Sequence, residues 1–154
     1  MNEVGPPGVK LPPPLIYIGG FLLGVALEAA LPVGGLPSIL AWLAALIGVA
    51  IFLALDGSAM LHFIRAKTGV LPISPTTAFV TSGPYRITRN PMYLGMAVLY
   101  VGLALSLGVI WALAFLPVVL LAVDRYVIPP EERHLEAKFG DEYRDYKSRV
   151  RRWI

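Results

Sequence analysis

Residues 92–123 form a run of 32 side chains without one charge, and this run restricts the fold more tightly than any other feature of the chain. Wound as a single α-helix it would be about 48 Å long at a rise of 1.5 Å per residue, well beyond the ~30 Å hydrocarbon core of a bilayer. Ser106, Leu107 and Gly108 sit near its middle, a break that favours two arms folded back on each other. The run therefore predicts a helical hairpin, with spans at about 92–106 and 109–126. Two apolar stretches precede it: 15–31, interrupted only by Glu28, and 36–55, which is uncharged. They meet through LPVGGLP, a Pro/Gly turn too short to hold a domain. With 56% hydrophobic and 15% charged residues and a mean hydropathy of +0.69, the chain lies outside the soluble range. The expected class is all-α: one polytopic integral membrane domain over 1–154, with four transmembrane helices followed by a cytoplasmic amphipathic helix.

The thirteen Lys and Arg residues support four crossings. The short connections at 32–37 and 106–110 carry none, whereas Lys10, Arg65, Lys67, Arg86, Arg89 and the eight from Arg125 onward fall at the other face. Basic loop residues remain in the cytoplasm, so the loop 66–91, the tail and the C-terminus are expected there. The net charge of +3 then reports topology and attraction to anionic membrane lipids, not a nucleic-acid partner. The first fourteen residues hold five prolines and lack a basic n-region, unlike a cleavable signal peptide. No cysteine is present, which removes disulfides, thiolate metal ligands and a cysteine nucleophile together.

Two segments lie outside the spans. The first part of 56–91 continues the second helix, and from Thr68 the segment carries Gly69, Pro72, Pro75, Gly83, Pro84 and Pro91, the composition of a loop. Leu71, Ile73, Phe79, Val80 and Tyr85 give that loop apolar surface to bury, so a structured connection is expected. In the tail, 129–154, Pro129 and Pro130 suit a helix start, and Glu131 and Glu132 suit its positive dipole end. Leu135, Phe139, Tyr143, Tyr146, Val150 and Trp153 recur at spacings of three and four, one helical stripe with Gly140 as the place for a bend. Such a stripe suits a helix lying on the bilayer, Trp153 anchoring it at the interface.

Motifs of soluble enzymes are missing: there is no GxGxxG, Walker loop, GxSxG or HExxH. His62 and His134 are too few for a histidine metal centre, and Glu131 with His134 one turn later is a pair, not a site; no metal is expected. Glu28 lies within a span, where a carboxylate is a functional candidate by default, although its place near the outer end equally suits snorkelling. Gly19, Gly20 and Gly24 suit close helix packing. The densest polar and aromatic cluster is GPYRITRNPMYLG at 83–95, at the entry to the third span. Arg86 and Arg89 as positive flanks, Tyr85 and Tyr93 as belt aromatics and Pro91 as first helical residue account for it as an anchor. A binding site accounts for it equally.

That cluster resembles the isoprenylcysteine carboxyl methyltransferase family and the related phospholipid methyltransferases. The likeness is carried by GPYRITRNPMYLG, by PPEERHLEAKFGDEYRDYKSRVRRWI after the hairpin, and by RAKTGVLPISPTTAFVTSGPY upstream, covering about 65–154. The resemblance implies a membrane-embedded enzyme using S-adenosylmethionine, gripped by an R-[HN]-P-x-Y-x-G stretch and by the acidic pair after the last span. Carried over, the cofactor contacts are Tyr85, Asn90, Pro91, Met92, Tyr93 and Glu131, with backbone from Thr77, Ala78, Phe79 and Val80. Asn90 stands where many members have His. Four residues before Glu131, where the eukaryotic members place an Arg for substrate contact, this chain has Val127; Arg125 and Arg89 are the basic candidates for contact with the reacting groups. The implied acceptor is lipophilic and membrane-resident, an isoprenylcysteine carboxylate-like or other small apolar nucleophile, with a phospholipid N-methyltransferase as the alternative. A non-enzymatic scaffold or transport subunit of the same fold is the rival from a different class. Methyl transfer from a sulfonium needs neither metal nor covalent nucleophile, in keeping with two His and no Cys.

Overall fold

A computed structural model describes residues 11–36, 38–69 and 77–154. Residues 1–10 of the N-terminal stretch read as unlike a signal peptide, and Leu71, Pro72, Ile73 and Pro75 of the loop, fall outside these. Among the described residues every regular element is helical and no strand occurs. Helix α1 is Pro13–Ala30, opened by prolines that have no amide hydrogen to leave unpaired. Helix α2, Ser38–Phe52, passes through a widened π-turn, Leu53–Gly57, into α3, Ser58–Arg65. Together they make one rod of 28 residues, so the second helix does run on past residue 55.

Helix α4, Pro91–Ser106, and helix α5, Ile110–Ala122, form the expected hairpin, turned at Gly108 with φ +68, a value that favours glycine. A second π-turn, Val123–Val127, links α5 to α6, Ile128–Phe139. The last span and the start of the tail are thus one rod of 30 residues, Ile110–Phe139. Pro129 and Pro130 do not interrupt it because they fall in the first turn of α6, directly after the π-turn. Gly140, at φ +54, ends that rod, and α7, Asp141–Arg149, follows. Among the described residues, three helices are long and apolar enough to cross a membrane, Pro13–Ala30, Ser38–Arg65 and Ile110–Phe139, and α4 is a shorter apolar helix.

Helix α4 packs along α2, and α1 packs along α5, with α4 also touching α1, α5 and the first π-turn. In lipid, where apolar side chains gain nothing by leaving solvent, helices associate through small residues that let backbones approach. A Cβ on Gly24 would strike the backbone of Ala112 in α5, and Gly48 of α2 meets Gly102 of α4, where a Cβ on Gly48 would lie 3.1 Å from the Gly102 Cα. Gly20 is likewise occupied within the chain, against Val119, while Gly19 faces open space. The Tyr100 hydroxyl donates to the Ala112 carbonyl at 2.9 Å, and the Tyr100 ring sits edge-on to Phe21 at 5.1 Å.

At the opposite end from the tail, Glu28 clamps two turns: its carboxylate accepts the Val33 amide at 2.7 Å and the Trp111 amide at 3.3 Å. The second contact places a negative charge at the start of α5, where the helix dipole favours it. Glu28 is therefore a capping group in this fold. The helix contacts set the first prediction. Gly24→Val should lower stability by about 1–3 kcal/mol through overpacking, seen as a lower thermal midpoint in detergent, while Gly19→Val should leave the midpoint unchanged.

Candidate functional site

The entry to α4 is built by one glycine and one ring. Gly83 opens a single 3₁₀ turn, Gly83–Arg86, at φ +62, and a Cβ there would collide with the His62 ring. His62 is fixed in turn by a contact of its Nδ1 with the Ser58 carbonyl at 2.7 Å. Beyond this turn, the chain from Thr88 to Asn90 is held by residues more than sixty positions away. The Thr88 hydroxyl and the Asn90 side-chain amide both donate to the Arg152 carbonyl, at 3.0 and 2.9 Å. The Arg89 amide donates to the Arg151 carbonyl at 2.9 Å.

The Arg152 guanidinium completes this clasp from its other end. It donates to both Glu132 carboxylate oxygens, at 2.7 and 3.2 Å, and to Asp124 at 3.2 Å. Two parallel bonds to one carboxylate are the strong geometry for arginine. Glu132 also pairs with Arg89 at 3.3 Å, and the Trp153 indole donates to Asp124 at 3.0 Å. The second glutamate of the tail, Glu132, thus holds the two sequence motifs together.

The apolar stripe of the tail faces the protein. Phe79 stacks on Phe139 at 5.1 Å and meets Tyr143 and Tyr146 edge-on at 5.7 and 5.3 Å. The Tyr146 hydroxyl donates to the Tyr85 carbonyl at 2.7 Å. Burial is the main cause that pushes the Tyr146 phenol up to about 12 and those of Tyr143 and Tyr85 higher still, so all three keep their protons. The amides of Thr77 and Ala78 are engaged on the Thr68 hydroxyl at 2.8 and 3.2 Å.

Between α1, the first π-turn, α4 and α6 lies a cavity of about 690 Å³, within the size of small-molecule sites. Its wall is mostly apolar, with Phe21, Phe52, Met96, Leu99 and Leu135, and its polar members include Tyr17, Asp56, Asn90, Tyr93, Glu131 and His134. The Tyr93 hydroxyl donates to Glu131 at 2.6 Å, bridging α4 and α6. The Tyr17 hydroxyl donates to the Tyr93 carbonyl at 2.8 Å and so ties α1 to the same place.

Of the residues singled out from sequence, the cavity brings together Asn90, Met92, Tyr93 and Glu131. Pro91 and Tyr85 are buried behind them, with Tyr85 near enough to feel the charges of Glu131 and Asp56. Thr77, Ala78, Phe79 and Val80 are not among its lining residues. Arg89 belongs to the clasp, and the Arg125 side chain is 70% exposed beside Asp124. Sequence reasoning overlooked Tyr17 and Asp56. Tyr17 gave no signal beyond a polar tip within a span; Asp56 looked like the residue at which a span stops.

A bundle apolar enough to cross a membrane, with a cavity lined by acidic and aromatic residues between its helices, is the class these features define. The phospholipid methyltransferase family matches residues 19–142, and the chain belongs to that family, within the isoprenylcysteine carboxyl methyltransferase-like group of methyltransferases. A protein of Haemophilus influenzae described as uncharacterized is similar, 45% identical over 65 residues that make up 41% of this chain and the whole of that protein. No solved structure matches the chain.

The clasp gives the second prediction. Glu132→Gln removes the partner of two guanidinium groups, one of them, Arg89, with its side chain only 11% exposed. Stability should fall by about 3–5 kcal/mol, the cost of stranding a buried charge. Arg144→Ala, which breaks a pair on the exposed face of α7, should leave the thermal midpoint in place.

Proposed function

We propose that this protein is an S-adenosylmethionine-dependent methyltransferase acting on a lipophilic acceptor resident in the membrane, with the cofactor site and C-terminus on the cytoplasmic side and α4 as a fourth span. The observation that carries the proposal is the 2.6 Å hydrogen bond from Tyr93 to Glu131. It unites the R-N-P-x-Y-x-G stretch and the post-span acidic pair in the wall of one cavity, in a chain of a methyltransferase family.

The residues present fit such a donor. Glu131 lines the cavity, and no Lys or Arg is among its described lining residues, an arrangement open to a cationic ligand. Tyr17, Tyr93 and Tyr100 supply aromatic faces there, which attract a cation electrostatically. When bound, S-adenosylmethionine supplies a methyl group already activated on a positively charged sulfur. The protein then has to orient, align and keep water out, and holding two reactants in register is worth up to ~7–11 kcal/mol. Glu131 is placed to accept from hydroxyl or amino groups of the cofactor in a charge-assisted bond, with Tyr93 fixing its rotamer. Asn90, whose amide nitrogen is committed to Arg152, offers its carbonyl oxygen. Met92 shapes the surrounding wall, while the apolar faces of α1 and α4 suit an acyl or prenyl chain. The basic loop and tail mark the cytoplasmic side.

The test is ligand-linked stability of the purified protein in detergent. S-adenosylhomocysteine at about 100 times its dissociation constant should stabilise the native state by about 2.7 kcal/mol. Glu131→Gln should weaken that binding roughly 10- to 100-fold, as expected for loss of a hydrogen bond to a charged group. A wild type whose midpoint ignores the ligand overturns the assignment.

A further inference from the structure

Asp56 enters the cavity from an element that the R-N-P-x-Y-x-G stretch and the acidic tail do not include. It sits within the π-turn Leu53–Gly57, and such turns inside long helices are often found where a side chain has been re-aimed for function. It is 9% exposed, it lines the cavity with Tyr93 and Glu131, and its Oδ2 atom has no hydrogen-bond partner among the described residues. An unsatisfied buried carboxyl oxygen is costly. The second π-turn provides the contrast, since its aspartate, Asp124, is bonded by Arg152 and Trp153.

The seat of Asp56 is specific. A Cβ on Gly95 would overlap the Asp56 Oδ2 atom, so the last glycine of the R-N-P-x-Y-x-G stretch makes room for this carboxyl group, two residues after Tyr93. A carboxylate acceptor would bring no proton, and the described lining, which includes Asn90 and His134, holds no Lys or Arg to pair with it. An acceptor that brings its own proton meets a group able to take it.

We propose that Asp56 takes the proton of the methyl acceptor, a role that requires an N–H or O–H nucleophile and not a carboxylate. The role rests on the methyl transfer proposed above. In the step, the nucleophilic atom bonds to the methyl carbon while the methyl–sulfur bond breaks and its electron pair stays on sulfur. The proton of the nucleophile passes to the Asp56 carboxylate. The positive charge on sulfur and the negative charge on Asp56 are both consumed, so the products are a neutral thioether, a methylated lipid and a protonated Asp56.

The experiment uses total membrane lipids as acceptor and cofactor labelled in its methyl group, with the full-length protein in mixed micelles. Label on the wild-type product should resist mild base. A methyl ester, released as methanol, would overturn the proposal. Asp56→Asn should bind S-adenosylhomocysteine within threefold of wild type in calorimetry, yet transfer methyl about 10²- to 10⁴-fold more slowly, the usual worth of a positioned base. Asp56→Ala should regain part of that rate with added formate, which a purely structural role would not produce. Transfer by Asp56→Asn within threefold of wild type overturns the role. So does weakened binding of S-adenosylmethionine with unchanged binding of S-adenosylhomocysteine, which would place Asp56 on the sulfonium. A wild type that binds no cofactor or transfers no methyl group fails the underlying methyltransferase assignment, and this role with it.

Discussion

The Arg152 clasp is the interaction on which the rest of the site depends. Its backbone carbonyl takes two hydrogen bonds from the segment that enters α4, and its guanidinium takes Glu132 and Asp124 from the rod that leaves α5. Without it, the start of α4 would be held to the tail by the Tyr93–Glu131 and Tyr146–Tyr85 hydrogen bonds, the Arg89–Glu132 pair and the aromatic cluster around Phe79. With it in place, Tyr93 and Glu131 come within 2.6 Å, although they lie on different helices. Charges here do structural work that apolar packing cannot do at a membrane boundary, because each partner is directional and each pairing excludes other registers.

The two π-turns explain how long apolar rods carry polar groups without breaking. A rod crossing lipid must satisfy its own backbone, which leaves little freedom to redirect a side chain except by widening a turn. Each of the rods Ser38–Arg65 and Ile110–Phe139 does so once, and each widened turn holds an aspartate. Asp124 meets a cation and an indole and becomes part of the frame. Asp56 meets a glycine and a cavity. The same local device has thus been put to opposite uses, and the difference lies in what the neighbouring helix offers.

Much of this architecture was legible in the sequence because lipid imposes a simple length rule on apolar runs. The helices, the break near Gly108 and the continuation of the second helix all follow from composition and periodicity. The meeting of Tyr93 with Glu131 followed only from the resemblance. The stripe from Leu135 to Trp153 was visible, but its direction was not: spacing shows that residues share a face and says nothing about whether lipid or Phe79 covers it. Asn90 read as a ligand donor, whereas its amide nitrogen is committed to a carbonyl 62 positions later, a contact without local signature. Asp56 was hidden for a related reason. An aspartate at the end of an apolar run reads as the solvated edge of a span even where the helix continues, and only the observed π-turn and cavity show where it sits.

The clasp also orders the assembly of the protein in time. The partners Asn90 and Arg152 are separated by 62 residues, and the α4–α5 hairpin lies between them. During synthesis the entry segment of α4 must reach the bilayer and wait, with Thr88, Arg89 and Asn90 unpartnered, until the hairpin is inserted and the tail has emerged. Contacts of such long range form late and leave earlier segments exposed meanwhile. The cavity is therefore completed last, and synthesis halted between Phe139 and Arg152 would leave the apolar helices made and the clasp unformed.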